Sequence, residues 1–300
     1  MREFSSRLGL LLLRAIAKLP IGLVRPLGER LGDLLWLAAP RRRRITLVNL
    51  ALCFPHWSEA RRREVARQHF RCFAASFLER FIVWFESEDR VRQLVELRGG
   101  ANYEAVRGKP VILLAPHFVG IDAGGLRFQV DYGGASMYAR QKSRALTEAM
   151  TRGRTRFHGA QALLRNEGLR PALRVLRAGI PFYFLPDMDL GRRDAIFVPF
   201  FGVPAATVTS VARLASITGA VVIPVVTRMV RGGYVATIEP AWEDFPGDDL
   251  EAATRRMNAF IEQRVLEMPE QYLWSHRRFK TRPEGEPGVY GDARRGADGG

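Results

Sequence analysis

The sequence predicts an α/β fold: a mostly parallel central sheet flanked by helices, preceded by a basic helical segment. Three observations carry this. Short apolar runs rich in β-branched and aromatic residues, bounded by Gly or Pro, recur at 110–116, 135–139, 180–186, 220–227 and 234–239. Helical patterns separate the earlier runs, at about 122–130, 144–156, 168–178 and 206–218. The runs are continuously apolar rather than alternating, as strands covered on both faces are.

The amino terminus comes first. Residues 1–44 hold ten basic and three acidic side chains, interleaved with leucine-rich stretches. Arg7, Arg14, Lys18 and Arg25 are spaced 7, 4 and 7 apart. At about 100° per residue they fall within about 20° of one line on a helix, with leucines opposite. That pattern suits a helix lying in a membrane interface, or an amphipathic helix packed on a domain. Pro20 and Gly22 divide it. No run reaches the roughly 20 uncharged apolar residues of an ordinary spanning helix. No compact apolar core leads to a signal-peptide cleavage site. The run Arg41–Arg44 has the character of a cytoplasmic anchor. The expected organisation is therefore a membrane-associating segment over 1–50, a main domain over 51–282 and a disordered tail over 283–300. Within the domain, a helix is expected over 58–86, capped by Ser58, with Val65, Phe70, Phe73, Phe77 and Phe81 facing the core. Another is expected over 249–267.

Composition narrows the class. Apolar residues make up 47% and charged residues 26% of the 300, which excludes wholesale disorder and a polytopic membrane protein. Cys53 and Cys72 supply neither a disulfide framework nor a CxxC motif, and point to a reducing compartment. The net charge is +15, and only four of the 46 basic residues are lysine. Guanidinium forks favour anionic partners: nucleic acid, an anionic membrane or an acidic carrier. No helix-turn-helix, RRM or zinc signature accompanies the charge, so nucleic acid is not the expected partner.

The chemistry concentrates in PVILLAPHFVGIDAGG, residues 110–125. A buried strand ends at Pro116, and His117 follows at its carboxyl end, where ligands bind in open α/β sheets. Asp122 stands near a helix start. Five residues within one helix would not share a face, so the two meet only if His117 lies on the bend before it. There a carboxylate could hold Nδ1–H and leave Nε2 to act as a base. The same spacing also suits a strand-end hydrogen bond beside a helix cap. No P-loop, GxGxxG, HExxH or GxSxG motif is present, so neither nucleotide cofactor nor metal is expected.

HFVGID, residues 117–122, resembles the H-x4-D/E block of the lysophospholipid-acyltransferase-like superfamily. YARQK (138–142), GRTR (153–156), FLPDMDLGRRDAIFVPFFG (184–202) and PEQYLWSHRRFKTRPEG (269–285) resemble the bacterial lipid A biosynthesis acyltransferases more specifically. The resemblance implies transfer of a fatty acyl chain from acyl carrier protein to a hydroxyl of a lipid A precursor. The place would be the cytoplasmic face of the inner membrane, against anionic lipid. By it His117 is the general base, Asp122 orients it, and the hydroxyl attacks the thioester without an acyl-enzyme. The chain departs from the family at Ser143 and Arg144, where many members carry Asn-Pro, and in having Asp rather than Glu at 122.

Other residues in the matching blocks complete the expected site. Arg140, Arg154, Arg156 and Arg193 suit phosphate or sugar recognition, or a solvated basic surface. Asp187 and Asp189 follow the run 180–186 and are placed with the substrate-binding set, in a structural or arginine-orienting role rather than as metal ligands. Phe197, Pro199, Phe200, Phe201 and Gly202 are expected to wall an acyl-chain pocket, with core packing as the alternative. Another lyso-lipid, a phospholipid or an amino-acid lipid, is the alternative acceptor.

Overall fold

The computed structural model describes residues 2–139 and 143–291. Three helices open the chain: α1 (Arg2–Ala17), α2 (Ile21–Ala38) and α3 (Pro40–Cys53). The long α4 (Glu59–Phe85) and short α5 (Glu88–Leu94) follow, each started by a serine side chain that accepts a backbone N–H of its first turn. Then come β1 (Val95–Arg98), α6 (Gly100–Glu104), β2 (Val111–Leu114), α7 (Ile121–Tyr132), β3 (Ala135–Tyr138), α8 (Arg144–Arg154) and β4 (Gln161–Leu164). The rest is α9 (Arg170–Arg177), β5 (Phe182–Phe184), β6 (Ala195–Phe200), β7 (Val203–Val208), α10 (Ser210–Thr218), β8 (Val221–Val230), β9 (Gly233–Ile238) and α11 (Leu250–Glu267).

The central sheet has the order β1-β9-β8-β2-β5-β3-β4. β8, β2, β5, β3 and β4 run parallel, while β9 is antiparallel to β8 and carries β1 alongside it. The five expected strands are all present. β1 (VELR) and β4 (QALL) lie outside the apolar runs and were not expected, and FVPFFG became part of the antiparallel β6–β7 ribbon. β2 is buried at every position because helices cover both faces of the sheet.

The amino-terminal helices are packed, not separate. Gly28 and Gly32 let α2 lie directly on α4: a Cβ at either would come within 2.4 or 2.5 Å of the Ala75 or Arg71 backbone. Of the basic stripe, Arg25 turns into the protein, while Arg14 and Lys18 stay exposed beside protein partners. Arg25 pairs with buried Glu79 at 2.7 Å, Lys18 with Glu86 at 3.1 Å, and Arg14 lies over the Phe85 ring. The opposite, leucine face is left outside: Leu23 is 61% exposed, Leu34 62% and Leu37 70%. No helix among the described residues is long and apolar enough to cross a membrane. At the other end the expected tail is packed as far as Tyr290, a buried residue whose hydroxyl meets Asn49 of α3 and accepts the Phe279 amide. Residues 292–300 lie outside the described residues.

Candidate active site

Adjacent parallel strands build the site. β2 and β5 pair in register, with Leu114 opposite Phe184. Each strand continues into a residue, a proline and a polar group: Ala115-Pro116-His117 after β2, and Leu185-Pro186-Asp187 after β5. Equal steps from a matched pair set His117 and Asp187 side by side at the carboxyl edge of the sheet. His117 Nδ1 lies 2.6 Å from Asp187 Oδ1, and the His117 amide donates to Asp187 Oδ2 at 3.0 Å. Asp187 is buried, and His117 is 16% exposed. A carboxylate on Nδ1 selects the tautomer with its proton there, leaving Nε2 as the acceptor. Burial works to raise the Asp187 carboxyl, but the His117 charge and hydrogen bonds outweigh it and hold it below the ordinary carboxylate value. Burial first, then the Asp187 charge, push the Tyr272 phenol well above its ordinary value, so it stays protonated beside the carboxylate.

The turn after His117 is fixed by the closing segment of the chain. Val119 N–H donates to the Gln271 carbonyl at 2.9 Å, and Leu273 N–H donates to the His117 carbonyl at 3.0 Å. That segment is itself braced: Trp274 is fully buried, and the Asn49 side chain donates to the carbonyls of Trp274 and His276, each at 2.7 Å.

Asp122 does not hold the histidine. As expected, His117 lies on the bend and Asp122 in the first turn of α7, but the carboxylate turns to two arginines. Arg80 Nε of α4 lies 2.6 Å from Oδ2, and Arg154 Nε at the end of α8 donates to Oδ1 at 3.1 Å. Two permanent guanidinium charges in forked geometry outcompete a single imidazole for this carboxylate. Burial raises the Asp122 carboxyl, and Arg154 and Arg80 more than reverse that, so it too is held low. Arg154 reaches this point because Gly153 lets α8 close on Trp84 of α4, where a Cβ would lie 2.6 Å from the indole Cγ. Both guanidinium groups remain partly open, at 26% and 23%.

The other expected site residues separate. Arg140 lies outside the described residues. Arg156 is not free for substrate: it is spent on the Trp84 and Glu86 carbonyls, which it ties to the end of α8. Arg193 is 95% exposed on the loop before β6, near Asp194 rather than His117. Asp189 accepts from Gly191 N–H and from the amide and hydroxyl of Thr281, so it anchors the closing segment. Phe197, Pro199, Phe200, Phe201 and Gly202 do not wall the groove beside the histidine. Phe200 is sealed in the core, the Pro199 carbonyl accepts from Asn258, the Phe201 amide donates to Glu262, and Gly202 makes the β6–β7 turn.

An apolar groove of about 410 Å³ lies elsewhere, between α2, α4 and the segments that carry Asp187 and Tyr272. Leu35, Ala39, Phe70, Phe73, Met188 and Leu273 form its walls, Arg42, Ser275 and His276 its polar margin, and His69 part of its floor. Met188 directly follows Asp187, so the groove begins beside the His117 pair. Its volume is within the roughly 300–1,000 Å³ of small-ligand sites. Arg80 and the pairing role of Asp187 were not foreseen. The matching endings of 110–117 and 180–187 were the available signal for the pairing.

The chain matches the family described as bacterial lipid A biosynthesis acyltransferase over residues 1–281. It is 33% identical over 294 residues to the lipid A biosynthesis lauroyltransferase of Escherichia coli (strain K12), covering 96% of this chain and 95% of the relative. It is 33% identical over 280 residues to the palmitoleoyltransferase of the same organism, covering 91% and 90%. It is 30% identical over 291 residues to the myristoyltransferase, covering 95% and 90%. Among solved structures, the 1-acyl-sn-glycerophosphate acyltransferase PlsC from Thermotoga maritima aligns over 80% of this chain and 98% of its own, at 15% identity and a TM-score of 0.42. With its matched length and these identities, the chain belongs to the bacterial lipid A biosynthesis acyltransferases and is an acyltransferase.

Proposed function

We propose that this protein moves a fatty acyl chain from acyl carrier protein to a hydroxyl of a lipid A precursor, with His117 as general base and Asp187 orienting it. The observation that carries the reading is the His117–Asp187 pair, partly exposed and one residue along the chain from Met188, which lines an apolar groove. The hydroxyl proton passes to Nε2 as its oxygen attacks the thioester carbonyl, and the imidazolium then protonates the leaving thiolate. The acyl chain lies in the groove past Met188. Arg80 and Arg154, held by Asp122, present forked donors to the anionic head group of the acceptor.

The exposed leucines of α2 and the run Arg41–Arg44 seat the protein on the anionic cytoplasmic face of the inner membrane. Each arginine near such a surface adds about 1 kcal/mol of attraction. Replacing Leu23 and Leu27 together by Gln is expected to reduce sedimentation with anionic vesicles, and unchanged sedimentation removes this seat.

The decisive assay supplies acyl carrier thioester and lipid A precursor to wild-type and His117→Ala protein, with the product read by mass spectrometry. Loss of about 10²–10⁴-fold in rate is expected. Undiminished transfer would reject His117 as the base, and a mass increase confined to phospholipid would reject the acceptor. Phe73→Trp narrows the groove and is expected to shift the preferred donor to a shorter acyl chain, since one methylene of fit is worth about 10-fold or more. An unshifted chain-length profile would take the chain out of the groove.

A further inference from the structure

His276 sits across the groove margin from Met188 and is unused in the scheme above. Its Nε2 accepts a hydrogen bond from the Asp189 amide at 3.0 Å. A neutral imidazole that accepts at Nε2 carries its proton on Nδ1. Nδ1 has no hydrogen-bond partner among the described residues. The ring is held from several sides. The His276 amide donates to the Leu273 carbonyl, its own carbonyl accepts from Asn49, and Asp189 is pinned by Thr281. The result is a held N–H donor without a protein acceptor among the described residues, at the polar margin of an apolar groove and on the segment that pairs with the His117 backbone.

We propose that His276 donates its Nδ1–H to the carbonyl oxygen of the acyl thioester, stabilising the negative charge that develops there. This rests on the acyl-transfer reading above and adds a catalytic residue to it. As the acceptor oxygen bonds to the carbonyl carbon, its proton goes to His117 Nε2 and the C=O electron pair moves onto the carbonyl oxygen, which His276 Nδ1–H meets. When that pair returns, the carbon–sulfur bond breaks and the thiolate takes the proton from His117. His276 neither gains nor loses a proton. That requires it to be neutral at working pH, and burial first, then the His117 charge, push it down to about 4. A donor fixed before the reaction is the arrangement that makes such stabilisation effective.

The test uses two substitutions that each preserve half of the ring's contacts. His276→Gln places an acceptor near Nε2 for the Asp189 amide and loses the Nδ1 donor. His276→Asn places an N–H near Nδ1 and loses the Asp189 contact. Transfer from acyl carrier thioester, the melting temperature and the pH profile are measured for both, beside His117→Ala. The expectation is a kcat loss of about 10²–10³-fold in the Gln variant. Its KM and melting temperature should be near wild type, and the pH limb set by the base unmoved, with part of kcat restored in Asn. A Gln variant with wild-type kcat, or an Asn variant no faster than Gln, overturns the role. Should the Gln variant melt early, an Asn variant that melts normally and retains most of kcat still supports it, and one that melts normally and is as slow as His117→Ala rejects it. Undiminished transfer by His117→Ala would reject the base alone, because the Gln–Asn contrast is read independently of which group takes the proton.

Discussion

Asp187 and Asp122 are two buried carboxylates at one edge of one sheet, and both are held ionised. They differ only in what faces them. Asp187 faces an imidazole, a group that can take up and release a proton. Asp122 faces two guanidinium groups, which cannot. The first pair is therefore suited to moving protons and the second to holding fixed charge. The lesson is that proximity in sequence, which favoured Asp122 as the partner of His117, ranks below the identity of the competing cations and the register of the sheet.

The sharpest way to break this comparison is to neutralise each carboxylate in turn. Asp187→Asn is expected to lower kcat by about 10²–10⁴-fold, the whole contribution of a general base, because an amide N–H facing Nδ1 favours the tautomer with its proton on Nε2. Asp122→Asn is expected to act mainly on the KM for acceptor, since it releases two arginines and leaves the base intact. Steady-state kinetics with both substrates varied separates the two. Equal kcat losses in the two variants would erase the distinction drawn here. A smaller effect follows from Arg154→Lys, which keeps the charge and loses the fork. We expect a rise in acceptor KM of about tenfold, the scale of one charge-assisted hydrogen bond. An unchanged KM would confine Arg154 to bracing Asp122.

Much of the fold was legible because buried parallel strands announce themselves as continuous apolar runs, and 110–116, 180–186 and 220–227 all lie in the centre of the sheet. His117 was legible for the same reason, as the first titratable group past such a run. Its partner was not, because pairing across strands depends on register, which a local motif does not contain. It could have been read from the twin endings Ala-Pro-His and Leu-Pro-Asp, given the guess that the two strands are neighbours. Arg80 was hidden on an aromatic helix face that looked like plain core, and it is flanked by the Phe77 and Trp84 rings. The inward turn of Arg25 in the basic stripe could not be seen, because Glu79, which claims it, lies 54 residues away in the chain.

The comparison extends from carboxylates to imidazoles. His117 is buried against a counter-charge, whereas His69 on α4 is fully buried without one. Neither His69 nitrogen makes a well-formed hydrogen bond, the Glu270 backbone offering only a poorly aligned contact. Burial accordingly pushes His69 down to about 4. Its folded value lies below the unfolded one of about 6.5, so between these limits the unfolded chain binds more protons and stability rises with pH. On acidification from about pH 6.5 towards 4 this one residue should remove about 3 kcal/mol. His276, also lowered to about 4, acts in the same direction. The carboxylates Asp122 and Asp187 add their loss only lower, as pH falls through their own depressed values. Chemical denaturation across this range should therefore show a slope between pH 6.5 and 4 that flattens in His69→Gln, while Asp187→Asn leaves that window largely unchanged. A slope that survives His69→Gln intact would mean that the imidazole finds a partner in solution, and that burial without a counter-charge does not set its behaviour.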